Sequence, residues 1–190
     1  MDFLADEITL STLSELEKTK SEFWNISRDT GCLINMLIKM LNIQSVLEIG
    51  TSNGYSGIWI TKALKETGGR LTTIEYYEKR QSIAIENFRK CNVFDIVRPI
   101  QGSACSAIKA FRNDEYFDFV FIDANKSEYD KYFELIKSHL TPNALIIADN
   151  ITTHPEKVKP FIDAVDNDNE FQYTILNTGG GVLIAYRITL

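Results

Sequence analysis

Glu48, Glu75, Asp123 and the pair Asp149-Asn150 each close a short apolar run of strand length, and Lys126 follows Asp123 by three positions. In an open α/β sheet the carboxyl ends of the strands gather in one crevice, where ligands bind. Asp123, Asp149 and Asn150 present oxygen donors, which suit magnesium, calcium or manganese and do not suit a metal that prefers thiolates. Glu48 stands just before a turn containing Gly50 and Gly54, where absent side chains let the backbone approach a small molecule closely. Glu75 lies 25 positions beyond Gly50, at the tip of the adjacent strand, where a carboxylate can accept hydrogen bonds from both hydroxyls of a ribose. Local roles compete with these: Asn150 can cap a helix, Ser103 can cap the helix after it or face a bound base, and His154 can be an incidental loop residue.

The elements that must hold these side chains follow from periodicity and breakers. Residues 9–40 read as helix, with Ser11 or Thr12 as cap and Leu13, Leu16, Phe23 and Trp24 on the apolar side. A break is expected near Asp29-Thr30-Gly31, and a second helix, 32–41, should bury Leu33, Met36, Leu37 and Met40. Strands are expected at 45–49, 70–75, 96–101, 117–123, 144–150, 171–176 and 182–187. Helices are expected at 58–64, 78–92, 105–112, from after Ser127 to about 140, and 155–165. Pro99 marks the third strand as an edge, and Thr141-Pro142-Asn143 reads as a turn. Gly179-Gly180-Gly181 leaves no room for a helix between the last two strands, so the final strand should run antiparallel as half of a hairpin. The fold class is therefore α/β, a doubly wound, mostly parallel seven-stranded sheet with an antiparallel last strand. Residues 1–40 are expected to be amino-terminal helices packing on or capping the core, and 41–190 the main domain.

The turn lacks the G-x-G-x-x-G spacing of a dinucleotide site, and there is no Walker lysine. Its E-x-G-x-x-x-G form resembles motif I of the class I S-adenosylmethionine-dependent methyltransferases. The wording LEIGTSNGYS, with I-D-A-N-K and A-D-N further on, is similar to the metal-dependent O-methyltransferases of the catechol and caffeoyl-CoA type over residues 33–187. The resemblance implies S-adenosylmethionine held by Glu48, Gly50, Ser52, Tyr55, Ser56, Glu75, Ser103 and Asp123. It also implies a divalent cation, magnesium in expectation, on Asp123, Asp149 and Asn150, and catalysis by Lys126. Coordination would activate a phenolic hydroxyl, and a nearby lysine can accept its proton. The chain departs from the family pattern in the short segment 151–154 and the brief amino-terminal part, both of which shape the acceptor pocket in larger relatives.

The chain has 190 residues, 44% of them hydrophobic and 24% charged, which suits one domain with an ordinary core. Its net charge of −6 disfavours a broad nucleic-acid footprint. Three cysteines without C-x-x-C spacing, Cys32, Cys91 and Cys105, argue against a disulfide framework, and they are expected to be reduced and mostly buried. The amino terminus shows no signal peptide and no run reaches membrane-spanning length, which points to the cytoplasm and no membrane partner. The expected activity is methylation of a small catechol-like acceptor. The alternatives are methylation of a hydroxylated nucleoside in RNA, a non-catalytic cofactor-binding module and, more remotely, a dehydrogenase; a homodimer is left open.

Overall fold

The computed structural model describes residues 6–188. Its strands are β1 (Ser45–Ile49), β2 (Arg70–Glu75), β3 (Val97–Gln101), β4 (Phe117–Ile122), β5 (Leu140–Ala148), β6 (Phe171–Leu176) and β7 (Val182–Arg187). They form one sheet in the order β3-β2-β1-β4-β5-β7-β6. All pairs are parallel except those of β7, which runs antiparallel to both β5 and β6, as the short glycine connection requires. β3, which carries Pro99, is an edge strand.

The helices are α1 (Glu7–Glu17), α2 (Lys20–Phe23), α3 (Arg28–Met40), α4 (Tyr55–Thr67), α5 (Glu78–Lys90), α6 (Ala104–Lys109), α7 (Tyr129–Ile136) and α8 (Pro155–Asp166). Alternation along the strands divides the core in two. Val46, Phe119, Phe121 and Ile147 join Leu13, Ile34, Ile38 and Trp59 on one face. Leu47, Ile49, Val120 and Ile122 join Ile108, Phe133 and Phe161 on the other. None of the described helices is long and apolar enough to cross a membrane. The expectation about the amino terminus rests largely on residues 1–5, which lie outside the described residues.

Register brings the strand tips level. Ile49 pairs with Ile122, and Ile122 with Ala148. The ladder continues one step further, with Gly50 N donating to Ile74 O, Asp123 N to Ile49 O and Asp149 N to Ile122 O, at 2.9, 2.9 and 3.0 Å. Gly50, Asp123 and Asp149 therefore leave the sheet side by side, where the strand order reverses on either side of β1.

Several local expectations are corrected. The cap of α1 is Asp6, whose carboxylate accepts from Thr9 N at 2.7 Å, so Ser11 and Thr12 lie inside the helix. The helical break falls before Arg28 and not at Gly31, which is inside α3. A Cβ on Gly31 would lie 2.6 Å from Trp59 Nε1, so glycine is what lets α3 and α4 approach. This contact, with Asn35 Nδ2 donating to Trp59 O at 2.8 Å, turns Gly31, Ile34, Asn35 and Ile38 inward. The stripe expected to be buried is buried only in part: Leu33 and Leu37 are half-buried, Leu37 against the core, while Met36 is 45% and Met40 74% exposed. Lastly, Thr141, Pro142 and Asn143 belong to β5, with the register to β4 shifting between Phe117 and Phe119. The cysteines are all free, but only Cys91 is buried; Cys32 and Cys105 are half-buried.

Candidate functional site

The turn after β1 depends on backbone conformations that side chains disfavour. Gly50 and Gly54 have φ of +105° and +85°, and Ser52 between them has 49°. A Cβ on Gly50 would lie 2.1 Å from Asp123 O. Only glycine lets the tips of β1 and β4 meet so closely.

Glu48 lies beneath this turn and not at its surface. It is fully buried, with Oε1 accepting from Ser56 Oγ and Oε2 from Thr73 Oγ1, each at 2.6 Å. Burial pushes its carboxyl up to about 7 against the pull of those two hydroxyls, and the charges of Asp123 and Glu75 push the same way. Glu48 and Ser56 thus brace β1 against α4 and β2, and the carboxylate expected to meet a ligand is instead spent on the turn. Tyr55 and Ser56 nevertheless both line the cavity, and the Tyr55 hydroxyl donates to Glu17 at 2.8 Å and so fastens α1.

Glu75 does reach the surface of the crevice while only 6% exposed. Its Oε2 accepts from Ser52 N at 2.8 Å and its Oε1 from Tyr77 N at 2.9 Å. Two backbone donors fix the carboxylate plane, and each oxygen keeps a lone pair for a further hydrogen bond. The crevice is a cavity of about 530 Å³ walled by Gly50–Asn53, Glu75, Ser103, Asp123 and Lys126. Ser103 occupies the cap position of α6 without a side-chain capping bond, so its hydroxyl is available to the cavity.

The next strand tips carry the remaining acids. Lys126 Nζ lies 2.7 Å from Asp123 Oδ1, with both side chains less than a fifth exposed. Asp149 is 3% exposed, and its Oδ1 has no hydrogen-bond partner. Burial first, then the charge of Asp123, raises its carboxyl to about 7; the Asn150 N–H and the charges of Lys126 and Lys20 pull it down. Asn150 sits at φ 63°, with its amide against the glycine connection: a Cβ on Gly180 would lie 2.7 Å from Asn150 Nδ2. Asp149 and Asn150 stand beside the cavity and are not part of its wall. Among the described residues no three His, Cys, Asp or Glu side chains form a metal-binding group. An ion here would rest on two carboxylates, an amide and ligand or water oxygens. His154 is exposed, its Nδ1 3.1 Å from Thr153 Oγ1.

Several wall residues were not anticipated from the sequence. Phe23 at the end of α2, with Trp24, Asn25 and Ile26 after it, closes one side of the cavity. Tyr76, Tyr77 and Arg80 close another, and Glu128 and Tyr132, joined by a 3.0 Å hydrogen bond, a third. Two exposed tyrosines directly after a strand-tip acid were a readable sign; the other residues reach the cavity only through tertiary packing.

Comparison with known proteins gives one answer at every level. A profile of the O-methyltransferase family matches residues 4–186. The catechol O-methyltransferase of Niastella koreensis is 30% identical over 148 residues, which are 77% of this chain and 66% of that protein. The catechol O-methyltransferase of Mycobacterium tuberculosis is 30% identical over 148 residues, 78% of this chain and 64% of that protein. The chain thus spans slightly less than two thirds of the length of these relatives. Among solved structures, an O-methyltransferase from Bacillus cereus in complex with SAH superposes with a TM-score of 0.87 at 28% identity, covering 98% of this chain and 94% of that one. An O-methyltransferase from Streptomyces achromogenes involved in tomaymycin synthesis, in complex with SAM, gives 0.84 at 25% identity, covering 97% and 91%.

Proposed function

Because the chain belongs to the O-methyltransferase family, we propose that it transfers a methyl group from S-adenosylmethionine to a hydroxyl oxygen of a small, catechol-like acceptor with the help of a divalent cation. The observation that carries this reading is the cavity at the tips of β1, β2 and β4, where a side-chain-free turn faces a carboxylate fixed by two backbone donors. Its volume, about 530 Å³, suits a nucleoside-sized ligand. Gly50 gives the close backbone approach, the lone pairs left on Glu75 suit the two ribose hydroxyls, and Ser103 offers a hydroxyl toward the base.

Two features support a cation. Asp149 Oδ1 is buried without a partner, and the charge of Asp123 acts on the same carboxyl group. Positive charge between them would satisfy the orphaned oxygen and relieve the repulsion. Asp123, Asp149 and Asn150 would hold it, and all three are hard oxygen donors.

The methyl donor supplies an electrophilic carbon on a sulfonium, and the cation supplies Lewis-acid activation of the acceptor hydroxyl. The protein's own part is geometry and proton handling. The Gly50–Gly54 turn and Glu75 fix the donor, which matters because alignment at about 3–3.5 Å between reacting atoms is worth several kcal/mol. Lys126, held at the cavity wall by Asp123, takes the hydroxyl proton as a general base. Asp123 serves both neighbours by orienting Lys126 and belonging to the cation's ligand set.

The test is methyl transfer from labelled S-adenosylmethionine to catechols, with and without magnesium, beside calorimetry with S-adenosylhomocysteine. Transfer that stops in excess chelator while circular dichroism is unchanged is the expected result. Full activity in chelator would remove the cation from the reaction, and absence of cofactor binding by the folded protein would refute the reading altogether.

A further inference from the structure

Residues 17–24, of which Phe23 and Trp24 line the cavity, are built differently from the rest of its wall. Its two ends are pinned together, Asn25 Nδ2 donating to Leu16 O at 2.7 Å in a buried bond. Between the pins the chain makes a compact surface loop. Helix α2, within it, contains no buried residue. Trp24 ends α2 at φ 55°, left-handed backbone that a bulky side chain disfavours, and the residue is 69% exposed. A strained segment with so little buried surface belongs to the low-stability end of a fold and stays closed only through its outer contacts.

Glu17, at the start of the loop, is held by the Tyr55 hydroxyl and by Arg28, whose Nη1 lies 3.1 Å from its Oε1; beyond Glu17 the contacts are few. Ser52 Oγ donates to Phe23 O at 3.1 Å, and Asn53 Nδ2 reaches Thr19 Oγ1 at 3.4 Å, so the loop touches the same glycine turn that faces the cavity. The third contact is Arg80, from α5. Its guanidinium carbon lies 5.1 Å from the Trp24 ring centroid, 6.0 Å from Phe23 and 5.3 Å from Tyr77. Arg80 has no carboxylate partner among the described residues. Phe23 and Trp24 belong to the loop, whereas Tyr77 follows the Glu75 tip. A planar cation stacked among them joins the loop to the body across the cavity mouth.

We propose that Arg80 is a positioning residue that latches residues 17–24 over the cofactor, so that cofactor entry and product release require this aromatic cluster to part. The inference rests on the proposed S-adenosylmethionine site. The loop swings about the Leu16–Asn25 pin, the Ser52 and Asn53 contacts break with it, and the turn behind it stays in place because Glu48, Ser56 and Thr73 brace it from beneath. The latch therefore controls how long the cofactor or its product remains, more than which groups hold it.

The test uses wild type, Arg80→Ala, Arg80→Lys, Trp24→Ala and the Arg80→Ala/Trp24→Ala double variant, each checked for an unchanged thermal midpoint. The dissociation rate of S-adenosylhomocysteine should rise about tenfold in either alanine variant and less in Arg80→Lys, and the double variant should be no faster than the singles. Hydrogen exchange of the ligand-free proteins gives a readout that needs no cofactor: Arg80→Ala should speed exchange at the amides of residues 20–24 and leave β2 unchanged. Dissociation within twofold of wild type, or unchanged exchange at those amides, overturns the latch. Wild type that binds no S-adenosylhomocysteine at all overturns the functional reading, while the exchange result still decides whether Arg80 holds the loop.

Discussion

Replacing Gly50 by alanine isolates what the glycine turn contributes, because Gly68 provides a matched control. Both residues have positive φ, +105° and +79°, but a Cβ on Gly50 would meet Asp123 O at 2.1 Å, whereas nothing lies within 4 Å of one on Gly68. Gly68→Ala should therefore cost only the left-handed backbone penalty, about 1–2 kcal/mol. Gly50→Ala adds a collision with the backbone of another strand, which no rotamer change relieves. Overpacking of this kind costs about 1–3 kcal/mol, giving roughly 2–5 in all. Urea unfolding followed by tryptophan fluorescence should place the midpoints in the order wild type, Gly68→Ala, Gly50→Ala, with similar slopes. The strain also falls where it matters for function, since moving Asp123 O displaces the carboxylate that holds Lys126. S-adenosylhomocysteine binding and turnover should suffer in Gly50→Ala and stay near wild type in Gly68→Ala. A Gly50→Ala protein within about 0.5 kcal/mol of Gly68→Ala would show that the tips of β1 and β4 can part freely, and the steric account of the turn would fail.

Glu75→Ala should weaken S-adenosylhomocysteine binding by about 1–3 kcal/mol, the worth of hydrogen bonds to a charged group; calorimetry showing unchanged affinity removes Glu75 from the site. Lys126→Ala should lower the maximal rate by about 100-fold with partial recovery at high pH, and Lys126→Arg, which keeps the ion pair with Asp123 but not the base, should be equally slow. An active arginine variant would mean that Lys126 serves Asp123 alone. Glu48 binds its proton more tightly in the folded protein, with a value near 7 against an ordinary 4.5, so the stability it contributes is complete below about pH 4.5 and is lost as pH rises through 7. Glu48→Gln, neutral at every pH, should gain on wild type by more than about 1 kcal/mol between pH 5 and 7 in urea midpoints. A constant difference across that range would mean that Glu48 is ionised in the folded state throughout.

The sheet and its chemically equipped edge follow from local features of the chain. Strand runs such as Phe117–Ile122 are short, apolar and bounded by polar residues, and a strand's end is a local property, so Glu75, Asp123 and Asp149 could be placed at tips before any packing was known. The length of a connection is also local, and the three glycines before Val182 were enough to make β7 antiparallel. Direction and neighbourhood were not local. The sequence of α3 offers two apolar stripes of equal period, and the choice fell to Trp59, whose ring fits only over Gly31. Glu48 and Glu75 both end apolar runs and read alike. Pleating turns one beneath the turn toward Ser56 and Thr73, while the other opens on the cavity. Phe23, Trp24 and Arg80 meet across more than fifty positions of chain. Periodicity reports which side of an element is apolar, whereas only the partner surface fixes what that side touches. For this reason the acids were legible in the sequence, and the wall that closes over them was decided by the tertiary structure.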